Sequence, residues 1–242
     1  MALLTRVPSG EAVAPHPAAV AWFPVVGALV GMAAAGVYAL AAVVLPALLG
    51  AIAAVAAGLL ITGAFHEDGL ADYADAHGAD SKVRALEAMR DPRVGAFGAV
   101  ALVVVIVWRV AAISTLPPME AAAGLVMAHS MGRTAAVAMI GTLPAARPEG
   151  LGQWADAAPW WSRSAALLSG LTITTLVGGV WAVPAAAVAG VSVLWLRRSA
   201  ANRLGGLTGD VLGACEQVTE SLLLGLAVVA ANSTEPAWAG LL

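Results

Sequence analysis

Cysteine is nearly absent from this chain: Cys215 is the one in 242 residues, which excludes an internal disulfide and a cysteine-based metal site. It sits among small residues and reads as a small packed side chain. Charge is scarce too. Asp, Glu, Lys and Arg make up 11% of the residues, and none occurs between Glu11 and Glu67. The start, Met1 to Arg6, lacks a charged region followed by a cleavable apolar core, so no removable signal peptide is expected. What fills the chain is apolar: 60% of it is hydrophobic, with a mean hydropathy of +0.86. A soluble domain of this size has no use for so much apolar surface, so the composition predicts an all-α, polytopic integral membrane protein. The 26 Gly and 13 Pro suit membrane helices, which tolerate both and use glycine for close packing.

Pro46 divides the first uncharged region into helices at about 22–45 and 47–64, each near the length of a membrane span. A polar stretch follows over 66–93, within which Ser81 to Met89 reads as a short surface helix. Further helices are expected at about 96–116, ended by Pro117-Pro118, at about 119–142 and 164–179, and from Pro184 to Arg197-Arg198. Between them, Pro144 to Arg163 is looser and carries Trp154, Trp160 and Trp161, as residues at a membrane interface do. The last apolar run, 221–231, spans only if its helix begins near Val211 and takes Glu216 and Glu220 with it. The expectation is a single domain over 1–242 with about seven transmembrane helices and motif loops at 63–95 and 202–220.

Arg6, Lys82, Arg84, Arg90, Arg93, Arg147, Arg163, Arg197, Arg198 and Arg203 all fall on one side of that arrangement, while the turns near 46, 117 and 180 hold no Lys or Arg. By the positive-inside rule both motif loops face the cytoplasm.

Glu67, Asp68, Asp72 and Asp75 form an acidic run directly behind a long apolar segment. In a helix, Asp68, Asp72 and Asp75 would share one face and repel one another. A hard divalent cation relieves that, and Mg2+ takes oxygen ligands while leaving room for substrate phosphates. The plainer reading is a solvated acidic turn between two spans. A second pole shifts the balance: Arg203-Leu-Gly-Gly-Leu-Thr-Gly-Asp210. Gly205, Gly206 and Gly209, with Thr208, allow a tight loop whose backbone N–H groups approach an anion, and Asp210 is placed to cap the helix that follows. On the same side as the acidic run, this points to one shared metal–phosphate site. Arg90 and Arg93 are either ordinary interfacial anchors or substrate contacts. Arg133 lies inside a helix with His129 one turn earlier, and an intramembrane arginine faces a polar interior. Arg109 is its neighbour by depth, and two such cations need an acid or phosphate between them. His66 and His77 flank the acids as polar supports or substrate contacts; the zinc metalloprotease spacing is absent.

Taken together, Leu4-Thr-Arg-Val-Pro8, Phe23-Pro-Val-Val-Gly27, His66-Glu-Asp-Gly-Leu-Ala-Asp-Tyr-Ala-Asp75, Met89-Arg-Asp-Pro-Arg-Val-Gly-Ala-Phe-Gly98 and Gly205-Gly-Leu-Thr-Gly-Asp-Val-Leu-Gly-Ala214 with Glu220 resemble the cobalamin synthase (adenosylcobinamide-GDP ribazoletransferase) family. The matches keep the family's order over nearly the whole chain. Departures are confined to details such as Pro92 and His77. The resemblance implies a Mg2+-dependent transferase of the bacterial cytoplasmic membrane, its active site facing the cytoplasm. It would join adenosylcobinamide-GDP and α-ribazole, or its 5′-phosphate, and release GMP. On that reading Glu67, Asp68, Asp72 and Asp210 are metal ligands, and Asp75 or Glu220 handles the ribazole hydroxyl. Substrate contacts fall to His66, Arg90, Arg93, Arg133, Arg203, Gly205, Gly206, Thr208 and Gly209. The partners are then the two small molecules and the lipid bilayer, with no nucleic acid; a homo-oligomer is compatible with all of this. Two rivals compete. A CDP-alcohol phosphotransferase would follow Ala71 with Arg instead of Asp72. A transporter would carry its acids through the bilayer instead of at one face, and would show paired broken helices.

Overall fold

Proline and glycine set the ends of most helices in this chain. The computed structural model describes residues 3–6 and 16–233; Val7 and Pro8 of the N-terminal motif lie outside them. After a short 3-10 turn come α1 (Phe23–Ala41), α2 (Ala47–Thr62), α3 (Phe65–Asp75), the short α4 (Lys82–Ala88), α5 (Ala96–Thr115), α6 (Pro118–Met139), the short α7 (Leu151–Asp156), α8 (Trp160–Gly178), α9 (Ala182–Arg203) and α10 (Gly209–Ala231). Among the described residues there is no β-strand. Four helical stretches, Pro17–Ala41, Ala96–Thr115, Trp160–Arg203 and Gly209–Ala231, are long and apolar enough to cross a membrane. A fifth is added if α2 and α3, bent by 90°, form one broken span. The stretch Trp160–Arg203 folds back at Gly179, whose φ is +52°. Arg163 at the start of α8 and Arg197 near the end of α9 both donate to carbonyls beyond the same end of α6, those of Ile140 and Thr142.

The centre of the bundle is α6, packed against α1, α8, α9 and α10. It carries His129, Ser130, Arg133 and Thr134, all buried, and these keep it below the apolarity of a lipid-facing span. Gly27 and Gly31 let α1 lie directly on it: a Cβ at either would strike the backbone of α6 at His129 or Leu125. Lipid-sized apolar side chains such as Leu60, Val103, Val107 and Leu176 point outward instead.

Two details differ from the sequence expectation. The acidic run is not a loop: after α2, Gly63 and Ala64 both adopt left-handed backbone (φ +67° and +56°), and the chain turns at once into α3. The backbone N–H of Arg6 donates to the Ile61 carbonyl at this break, 2.8 Å away, and satisfies one of the acceptors that the end of α2 leaves free. The second is the cap of α10. Thr208, not Asp210, is its N-cap and accepts from the Val211 N–H; Asp210 stands in the first turn with its carboxylate directed elsewhere. The helix begins at Gly209 and carries Glu216 and Glu220 inside, as spanning requires.

Candidate active site

The close fit of α3 on α10 assembles the site. A Cβ on Gly69 would lie 3.0 Å from the Asp210 Cα, and one on Gly213 would lie 3.2 Å from the His66 carbonyl oxygen, so the two helices touch backbone to backbone. That contact brings Asp68 and Asp72 of α3 beside Asp210 of α10. Asp72 is within electrostatic reach of Asp210, Asp68 and Asp75. Asp68 is exposed, while Asp72 and Asp210 are half-buried. The cation beside them is Arg147, whose Nη1 is 3.8 Å from the Asp210 carboxylate. Three half-open carboxylates against one guanidinium leave uncompensated negative charge, and every donor is a hard oxygen. Such a set fits a divalent cation that prefers oxygen.

The other expected residues are placed as follows. Both oxygens of Asp75 accept backbone N–H groups at the start of α5, from Gly95 at 2.7 Å and Gly98 at 2.9 Å. The same side chain borders a cleft of about 640 Å3 together with Asp80, Arg84, Asp91 and Arg93. Arg93 lies on Asp91 at 2.6 Å and holds the pKa of that partly exposed carboxyl down at about 2. Arg90 is exposed, and Arg203 donates to the Ala79 carbonyl at 3.1 Å. Gly205 ends α9 with φ +71°, its N–H shared between the carbonyls of Ala200 and Ala201. Gly206 passes so near Pro144 and Ala146 that a side chain would clash with their backbone, and the Leu207 N–H goes to the Pro144 carbonyl. Much of the glycine loop is therefore committed to the turn itself, and Gly209 and Asp210 open onto a smaller cavity.

Deeper in the bundle lies a charge network that the sequence shows only in part. Arg109 of α5, 2% exposed, pairs with Glu67 at 3.0 Å and with Glu220, and donates to Gln217 at 2.9 Å. Arg133 of α6 pairs with Glu216 at 2.7 Å, and His129 Nδ1 is 2.7 Å from Glu220. His66 reaches the edge, its Nδ1 3.9 Å from Glu216. His129, Glu216 and Glu220 together form a group whose ligand atoms could hold a metal ion. Arg133 Nη1, however, lies 2.7 Å from Glu216 and 4.0 Å from Glu220, and 3.5 Å from His129 Nδ1. A guanidinium already stands where a cation would. Glu67, Glu220 and Arg133 thus sit in buried ion pairs, away from the open carboxylates. Gln217 and Arg147 are not singled out by the sequence; the acids Glu216 and Glu220, one turn apart on an otherwise apolar helix, are the signal that points to the first of them, which adjoins Glu216.

Comparison with known proteins agrees with the motifs. Residues 1–228 match the family model described as cobalamin-5-phosphate synthase. Proteins named adenosylcobinamide-GDP ribazoletransferase are similar to this chain. That of Azorhizobium caulinodans is 42% identical over 219 residues, covering 86% of this chain and 83% of its own. That of Bradyrhizobium diazoefficiens is 40% identical over 209 residues (83% and 79%), and that of Ralstonia nicotianae 42% over 210 residues (84% and 81%). No solved structure matches.

Proposed function

Since the chain belongs to the cobalamin-5-phosphate synthase family, we propose that it transfers the cobinamide phosphate of adenosylcobinamide-GDP to α-ribazole or α-ribazole 5′-phosphate and releases GMP. The observation that carries this reading is the meeting of Asp68 and Asp72 with Asp210 at the basic end of the bundle. Phosphoryl transfer is chiefly a matter of positioning and charge neutralisation. Asp68, Asp72 and Asp210 would hold Mg2+, which when bound neutralises diphosphate oxygens. The ribazole hydroxyl attacks the phosphorus nearer the cobinamide. Its proton passes to Asp75, whose carboxylate is fixed in orientation by two backbone N–H groups and keeps a lone pair on each oxygen. The bond from that phosphorus to the bridging oxygen breaks, and the electron pair leaves with GMP. Glu67 and Glu220, held on Arg109, keep α3, α5 and α10 in register beneath these groups.

The chain crosses the bacterial inner membrane in seven passes on this reading: α1, the broken α2–α3 pair, α5, α6, α8, α9 and α10. The arginine-rich end, with the site, faces the cytoplasm. Protein purified in detergent and incubated with adenosylcobinamide-GDP, α-ribazole and Mg2+ should release GMP in step with cobalamin. Chelation should stop this and added Mg2+ restore it. Asp72→Asn should lose turnover by at least ~10²-fold while the protein still inserts and melts cooperatively. Near-normal turnover in that variant rules out its metal role.

A further inference from the structure

Arg147 has a setting that none of the expected phosphate-binding arginines shares. Its loop is held against the one preceding α10 by two backbone hydrogen bonds, Ala146 N–H to the Leu207 carbonyl at 2.8 Å and Leu207 N–H to the Pro144 carbonyl at 2.9 Å. One edge of its guanidinium is pinned: Nη2 donates to the Leu86 carbonyl of α4, 3.0 Å away. Nη1 stands 3.8 Å from Asp210, and the side chain is 16% exposed. Its Nε, fully buried, has no hydrogen-bond partner. A buried donor without an acceptor costs on the order of 1–3 kcal/mol, so a group that supplies one is drawn to it. Beside it opens a cavity of about 190 Å3, lined by Arg147, Glu149, Leu151, Thr208, Gly209 and Asp210, at the first turn of the 23-residue α10. Three other arginines at this end are engaged elsewhere: Arg84 with Asp80, Arg93 with Asp91, Arg203 with the Ala79 carbonyl.

We propose that Arg147 grips the nucleotide-side phosphate of the diphosphate substrate and stays on it as GMP departs. The inference rests on the reaction proposed above and names the residue that meets its leaving group. When the bond between the bridging oxygen and the cobinamide phosphorus breaks, that oxygen keeps the electron pair and becomes a terminal oxygen of GMP. A guanidinium fixed at one edge offers its other edge to two phosphate oxygens at once, and the first turn of α10 borders the same cavity.

The test uses the full-length protein in detergent with Mg2+, and two variants, Arg147→Met and Arg147→Lys. Two quantities are read: binding of GMP by equilibrium dialysis, and kcat/KM for each substrate separately. Both variants should bind GMP at least tenfold more weakly and lose about 10²-fold in kcat/KM for adenosylcobinamide-GDP, with the KM for α-ribazole unchanged. Lysine keeps the charge against Asp210 and the Leu86 carbonyl, so it preserves the fold, but it lacks the planar fork. Wild-type GMP affinity in either variant overturns the proposal, and so does an equal rise in KM for both substrates. If the wild-type protein binds GMP but shows no metal-dependent release of it, the proposed reaction fails while the Arg147 site stands.

Discussion

Replacing Arg109 by Met tests the buried network most directly. Arg109 is 2% exposed, and its guanidinium serves Glu67, Glu220 and Gln217. Methionine fills much of the same volume, so the change removes charge and hydrogen bonds without opening a large void. It strands two carboxylates, and Glu67 Oε2 already has no hydrogen-bond partner. Breaking one buried pair costs about 3–5 kcal/mol, so a guanidinium shared by two acids places the expected loss near the upper end, about 5 kcal/mol. Unfolding in mixed detergent micelles, followed by the fluorescence of the 8 Trp residues, gives the number. The double variant Arg109→Met/Glu220→Gln should recover about 1–3 kcal/mol of it. A loss under about 1 kcal/mol at pH 7.5, or a double variant no more stable than the single, would refute the claim that these charges are mutually compensating.

Two further outcomes follow from the α3 contacts. Gly69→Val should cost about 1–3 kcal/mol and most of the activity, because its Cβ meets the Asp210 backbone at 3.0 Å and α3 must lift off α10; wild-type GMP release from this variant would show that the helix contact is not needed. Asp75→Ala should lower stability by about 1–2 kcal/mol through loss of the cap on α5 and also halt turnover, with GMP binding retained. An unchanged melting midpoint would remove the capping role.

The membrane class, the positions of most helices and the two acid-bearing poles were readable because each depends on local composition or spacing. The break at Gly63 and Ala64 was not, since nothing in an alanine at position 64 announces left-handed backbone; tertiary packing imposes it. The cap of α10 was misassigned for a similar reason. Thr208 and Asp210 are both good caps, and only the path of the Gly205–Leu207 loop, pinned to Pro144 and Ala146, decides between them. Depth alone says that Arg133 faces a polar interior, and the resemblance makes it a substrate contact. Its acid partner lies on another helix, 83 positions away, and no periodicity within α6 could name it.

Glu67 and Asp68 are adjacent in sequence, and the helix separates them by about 100° of rotation, enough to divide the acids into two populations. Glu67 turns inward to Arg109 and, with Glu216 and Glu220, meets two guanidiniums and two histidines in a closed, nearly balanced set. Asp68 turns outward to Asp72 and Asp210, where a single guanidinium leaves the sum negative. Buried charge is tolerated where it is paired, and unpaired charge is tolerated where a soluble cation can reach it. The inner set therefore serves to fix the relative height of α3, α5, α6 and α10, and the outer set inherits that rigidity. A substitution in the inner set should accordingly change stability and activity together, whereas Asp68→Asn should relieve repulsion, leave stability level or improved, and still abolish metal-dependent turnover. Measuring both quantities on the same preparations separates the two populations, and equal stability losses in Asp68→Asn and Glu67→Gln would show that the division does not exist.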